Sequence, residues 1–115
     1  MTLSEFEIKR CEKLVAEFIA KRRPPPHVRA QLDFGFRISG QSIEIFTLRP
    51  DWRDKDKIRE AAIAKATYNK TKSNWKVMWM RADMKWHAYQ PNPAVSSVEE
   101  FLDIVQKDEY NCFFG

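Results

Sequence analysis

Val28-Arg29-Ala30-Gln31-Leu32-Asp33-Phe34-Gly35-Phe36-Arg37-Ile38 alternates apolar and polar side chains without a break before it meets Ser39-Gly40. Successive side chains of a strand point to opposite faces, so this period predicts a strand with one face buried and one wet. Ser39-Gly40 suits a two-residue hairpin turn, and Ile43, Ile45 and Thr47 resume the alternation beyond it. With that turn Phe36 is expected opposite Ile43, Phe34 opposite Ile45 and Leu32 opposite Thr47. Arg37 then lies diagonal to Glu44 on the wet face, within reach of it. The hairpin is expected to end at Arg49-Pro50.

Upstream of the hairpin, Ser4-Glu5-Phe6-Glu7 has the spacing of a capping box. Ile8, Cys11, Leu14, Val15, Phe18 and Ile19 follow at three- and four-residue steps, the mark of an amphipathic helix. Lys21, Arg22 and Arg23 suit its negative end, and Pro24-Pro25-Pro26 stops it. Downstream, residues 51–59 form a charged connection with no clear period. A third strand is expected over 61–69, with Ala62, Ala64, Ala66 and Tyr68 on one face and Ile63, Lys65 and Thr67 on the other. Thr71-Lys72-Ser73-Asn74 reads as a turn. A fourth strand runs from Trp75 to Arg81, with Ala66 expected opposite Trp79 and Tyr68 opposite Val77, small against large. A fifth, Lys85 to Gln90, ends at Pro91-Asn92-Pro93. Ser97-Val98-Glu99-Glu100 repeats the capping box before a helix reaching Lys107, and the apolar tail Tyr110–Gly115 is expected to dock. The fold class is α+β: one domain over 1–115, with about five antiparallel strands in a meander between an N-terminal and a C-terminal helix. The helices are expected to cover one face of the sheet.

Composition fits that outline. At 115 residues, 43% hydrophobic and 31% charged, the chain is neither disordered nor too short for a core of its own. Two cysteines, Cys11 and Cys112, exclude a disulfide-dense scaffold. No apolar run approaches the ~20 residues of a membrane span, and the acidic N-terminus has no apolar h-region, so no signal peptide is expected. A cytoplasmic protein without membrane contact or cofactor is the expectation. The net charge of +4 is unevenly spread, with +9 over residues 21–89 and −5 over the two ends. A basic block of this kind suits phosphate, nucleic acid or an acidic protein surface, unless the acidic helices neutralise it within the fold.

Several stretches resemble a bacterial family known as domain of unknown function 3024. They are Arg23-Pro24-Pro25-Pro26-His27-Val28-Arg29, Ile38-Ser39-Gly40-Gln41-Ser42-Ile43-Glu44-Ile45-Phe46, Arg49-Pro50-Asp51-Trp52 and Ala64-Lys65-Ala66-Thr67-Tyr68. Trp79-Met80-Arg81-Ala82-Asp83-Met84-Lys85-Trp86-His87-Ala88-Tyr89 and the ending Cys112-Phe113-Phe114-Gly115 complete the resemblance, which covers nearly the whole chain. It implies a small stand-alone bacterial protein. It implies no reaction, cofactor or catalytic residue, because the family has none assigned.

Among residues able to carry chemistry, Arg81, Asp83, Lys85, Trp86, His87 and Tyr89 cluster at a strand end and turn. Asp83, Lys85 and His87 are the catalytic candidates there. On the structural alternative Asp83 shapes the turn, Arg81 and Lys85 are solvated and Trp86 packs in the core. Pro50-Asp51 followed by Asp83-Met84-Lys85 matches the order of a PD-(D/E)xK metal-dependent nuclease, in which acids hold the ion and Lys orients water. The match is weak, since another acid-x-Lys triplet, Glu7-Ile8-Lys9, falls in the first helix. Cys11, His27, His87 and Cys112 have the composition of a zinc set but none of its spacings, so no metal is assigned and an enzyme is not the expectation.

Binding has the better case. Lys65, Lys70, Lys72, Lys76 and Arg81 lie on or beside strands that also carry Tyr68, Trp75, Trp79, Trp86 and Tyr89, and Trp52 and Arg53 sit in the charged connection. Cations track phosphates while rings stack on bases, the combination used for single-stranded nucleic acid. Against this, Trp75 and Trp79 alternate in phase with Val77, as core residues do. The expected function is a small nucleic-acid-binding or phosphate-recognising module that uses Arg53, Lys65, Lys70, Lys72, Lys76, Arg81, Trp52 and Trp86. The alternative is an adaptor that binds an acidic protein partner.

Overall fold

The computed structural model describes residues 4–28, 31–51, 53–54, 56–109 and 113. Helix α1 spans Glu5–Arg22. Ser4 caps it, its hydroxyl accepting from the Glu7 amide at 3.2 Å. Cys11, Val15 and Ile19, one turn apart in succession, are its buried face. Arg23 is already extended, at φ −61° and ψ 135°. Its guanidinium turns away from the helix end to Asp33, with bonds of 2.8 and 2.6 Å. The first strand begins later than the alternation predicts. Val28 lies in a turn set by the prolines, its amide donating to the Pro25 carbonyl at 2.9 Å and its own carbonyl accepting from Gln31 and Leu32. Arg29 and Ala30 of the expected strand lie outside the described residues.

Strand β1 is Asp33–Ser39, β2 Ser42–Pro50, β3 Ile58–Asn69, β4 Asn74–Met80, β5 Trp86–Ala88 and β6 Ala94–Val95. Helix α2 is Val98–Lys107. The sheet is an antiparallel meander in the order β1-β2-β3-β4-β5, as expected, with β6 also paired to β4. Strands β5 and β6 are two parts of one edge. The Tyr89 amide donates to the Val77 carbonyl at 2.9 Å and the Val77 amide to the Pro93 carbonyl at 3.0 Å, so the intervening residues loop out. Pro91 and Pro93, which cannot donate to a ladder, interrupt the strand without ending it.

Both hairpin registers differ from expectation by one pair. Ser39 faces Ser42, so the first turn is Gly40-Gln41, and Ile38 faces Ile43, Phe36 faces Ile45 and Phe34 faces Thr47. Gly40 takes a left-handed φ of +59° at the first loop position, where a two-residue hairpin favours glycine. In the second hairpin Asn69 faces Asn74, which places Ala64 opposite Trp79, Ala66 opposite Val77 and Tyr68 opposite Trp75. A shift of one pair is two residues, so every side chain keeps its face. A bulge alters a face once. Ile45 pairs with Ala64 but Phe46 with Ala62, leaving Ile63 as the extra residue of β3. Beyond it the phase reverses, so Ala61 rather than Ala62 lies opposite Thr47 on the core side.

The core lies between the sheet and the two helices. Ile43, Ile45, Ala64, Ala66 and Val77 are fully buried on one face of the sheet, together with Val15 from α1 and Phe101 and Val105 from α2. Small Ala64 and Ala66 give α2, which packs on β3 and β4, a flat seat on the central strand. The Ser97 hydroxyl caps α2 by accepting from the Glu100 amide at 3.2 Å. Phe113 packs against Tyr89, the rings tilted by 42° with centroids 5.0 Å apart, and is buried; the rest of the apolar tail lies outside the described residues. No described helix is long and apolar enough to cross a membrane.

Candidate nucleic-acid interface

Residues directly opposite one another in an antiparallel ladder point to the same face. The registers therefore lay out the face that the helices leave uncovered. One row across it is Arg37, Glu44, Lys65, Met78 and Ala88. Toward the β3–β4 turn the next row is Ser39, Ser42, Thr67, Lys76 and Ala94. On the other side lie Gly35, Phe46 and Ala62, with Met80 opposite Trp86. Each of these side chains is exposed or half-buried, whereas the buried strand residues all belong to the opposite face.

The uncovered face has two zones. At one end Phe46, Met78, Met80 and Trp86 form an apolar platform. The Phe46 ring lies over Gly35, so close that a Cβ there would stand 2.6 Å from a ring carbon. The Arg37 guanidinium sits 4.8 Å from the centroid of that ring and also pairs with Glu60. At the other end Lys76 joins Lys70, Thr67 and Gln41 around a shallow depression beside the β3–β4 turn, and Lys72 is exposed on the turn itself. Lys65 links the zones, its ammonium 5.6 Å from the centroid of Trp86. Ser42 and Thr67 hydroxyls meet at 3.0 Å between the strands. Lys65, Lys72 and Lys76 have no ion-pair partner among the described residues. Glu44, set between Arg37 and Lys65, is the acid that interrupts the basic row.

Among the described residues, no ion pair joins an acid of either helix to Arg37, Lys65, Lys72 or Lys76. Among the described residues, the acids of α2 that form ion pairs use Arg10 of α1, at 2.5 Å from Glu99, and Lys107 of their own helix, at 3.0 Å from Asp103. The Glu99 carboxyl lies below its ordinary range, held there by its own backbone amide and by the Arg10 guanidinium.

The remaining sequence-predicted residues are scattered. Trp75 and Tyr89 are core residues, and Tyr68 and Trp79 pack against the core on the helix side. Of the aromatic residues grouped by the sequence, Trp86 alone among the described ones shares a face with Lys65 and Lys76, and it is half-buried on that open face rather than packed in the core. Trp52 lies outside the described residues. Arg53 is exposed in the β2–β3 connection, its amide donating to the Asp51 carboxylate at 2.8 Å. Arg81 stacks over Trp79 at 5.5 Å, away from the open face.

The weak catalytic candidates form a local turn structure. Asp83 accepts from the Lys85 amide at 3.0 Å and bonds His87 Nε2 at 2.8 Å. The His87 bond, then the Lys85 amide, lower the Asp83 carboxyl below its ordinary range. The carboxylates of Asp51 and Asp83 thus each brace their own turn. Among the described residues no group of three or more His, Cys, Asp or Glu side chains is placed to hold a metal ion. Cys11 is buried on α1, and burial raises its thiol above the ordinary range; His27 is exposed in the proline turn, and Cys112 lies outside the described residues.

The sequence reading missed Phe46, Met78 and Met80 as a platform. The signal was present: Ile43 to Leu48 is apolar on both phases except at Glu44 and Thr47, which a strand wet on one face does not require. Comparison with curated proteins and with solved structures gives no match. The family model described as "Domain of unknown function (DUF3024)" matches residues 3–115, and the chain belongs to that family.

Proposed function

We propose that the protein is a small single-strand nucleic-acid-binding module of the bacterial cytoplasm, working without a cofactor through the uncovered face of its sheet. The observation that carries this reading is Lys65 beside Trp86, with Lys76 and Lys72, unpaired among the described residues, continuing on one side and Phe46, Met78 and Met80 on the other. A strand laid across the face places phosphates along the lysines and bases on the rings, each stacked base contributing about 1–3 kcal/mol. Arg37 holds Phe46 from one side, so the platform is braced before any ligand arrives.

Fluorescence anisotropy of labelled single- and double-stranded DNA and RNA, at several salt concentrations, tests the proposal. With Lys65, Lys70, Lys72 and Lys76 on the phosphates, the logarithm of affinity should fall with the logarithm of salt at a slope of about −3. Lys65→Glu and Lys76→Glu should abolish binding without unfolding the protein. Absence of binding at low salt would refute the reading and favour the adaptor alternative, in which an acidic protein meets the same lysines.

A further inference from the structure

On the helix side, beyond the end of α1, the sheet extends past its cover. Strands β2 and β3 continue there as a two-stranded arm, and Arg49 and Arg59 are directly opposite each other on it. Like charges directly opposite in a ladder are destabilising, and neither arginine has an ion-pair partner among the described residues. Both line a cleft of about 590 Å³, a size typical of small-molecule sites. Arg22, from the last turn of α1, is the third cation lining it, and Phe34, Ile63 and Phe113 are part of its apolar lining. Glu60 also borders the cleft but is paired with Arg37 of the other face. Met84, 71% exposed at a left-handed φ of +64°, also lines it from the β4–β5 turn.

We infer that this cleft binds a small amphipathic organic anion, its oxyanion head between Arg49 and Arg59 and its apolar body against Phe34, Ile63 and Phe113. Apposed guanidinium forks suit an oxyanion because each donates paired N–H groups to it. An anion between them also turns a repulsive pair into an attractive triplet, so the arrangement is stabilised by the ligand that it recognises. The site is on the face opposite the proposed nucleic-acid surface and does not depend on it.

Isothermal titration with 8-anilinonaphthalene-1-sulfonate tests the inference. N-phenyl-1-naphthylamine, with the same rings and no charge, and inorganic phosphate, a head with no body, serve as controls. One molecule of the sulfonate should bind per folded chain, and each control should bind at least about tenfold more weakly. The double substitution Arg49→Gln/Arg59→Gln should cost about tenfold or more in affinity while raising the melting temperature of the unliganded protein, since it removes a repulsion. Lys65→Glu should leave sulfonate binding unchanged. Equal affinity in the double variant, equal binding of the uncharged analogue, or many molecules per chain would overturn the proposal. So would displacement of the sulfonate by single-stranded DNA, because the arginines would then belong to the nucleic-acid surface.

Discussion

Gly35→Ala probes the platform at its most crowded point. The added Cβ would stand 2.6 Å from one Phe46 ring carbon and 3.0 Å from the next, so the ring must swing off β1 and away from Arg37. Overpacking of this kind costs about 1–3 kcal/mol. It is offset by about 0.4–1 kcal/mol from the smaller entropy of the unfolded chain when alanine replaces glycine. The net expectation is a destabilisation of about 0–2.6 kcal/mol. With Phe46→Ala already in place the clash is gone, and the same substitution should stabilise by about 0.4–1 kcal/mol. Urea unfolding of the four proteins of this cycle, followed by intrinsic fluorescence, measures both effects. A change of sign between the two backgrounds is expected. Gly35→Ala having the same effect in both would show that the Phe46 ring does not rest on Gly35, and the braced platform would fall with it.

Three further outcomes follow from the geometry. Ser97→Ala removes the acceptor for the Glu100 amide and should cost about 1 kcal/mol by urea unfolding, with Ser97→Asp restoring most of it. The Asp83 carboxyl is held below its ordinary range by His87, so its contribution is present above the unfolded value near 4 and is lost as pH falls through the lower folded value. Acid unfolding curves of wild type should therefore fall more steeply in that window than those of Asp83→Asn; parallel curves would show that the bond to His87 contributes nothing. In a Cys112→Ser protein the remaining thiol, Cys11, is 3% exposed and raised by burial. It should react with an aromatic disulfide reagent near neutral pH only on unfolding, and rapid reaction in the native state would contradict its place in the core.

Much of the architecture was legible because it rests on short-range patterns. The capping serines Ser4 and Ser97, the Cys11-Val15-Ile19 spacing and the alternation from Leu32 to Thr47 are each fixed by neighbours within one turn or one pleat. Register was not. Whether Ser39-Gly40 or Gly40-Gln41 forms the turn depends on which residue must take a positive φ, and both choices leave the same side chains facing the core. The Ile63 bulge was invisible because Ala61 and Ala62 are identical side chains, and only the pairing partner tells which is in phase. The strand β6 was missed because Pro91 and Pro93 read as a stop, while the backbone loops outward and rejoins the same edge. For the site, Lys65 and Lys76 were placed on the right strands. Trp86 could be assigned to a face only once its pairing with Met80 was known. Arg49 and Arg59 lie ten residues apart in sequence, and nothing short of the β2–β3 register places one against the other.

The most direct test of the open-face reading is a ¹H–¹⁵N correlation spectrum of the protein titrated with a single-stranded oligonucleotide at low salt. Shifts are expected only at Phe46, Lys65, Thr67, Lys70, Lys72, Lys76, Met78 and Met80 and at the Trp86 indole, with the amides of the core residues Val15, Phe101 and Val105 unmoved. Shifts centred on the helices or on the Arg49–Arg59 arm, with the Trp86 indole unchanged, would contradict it.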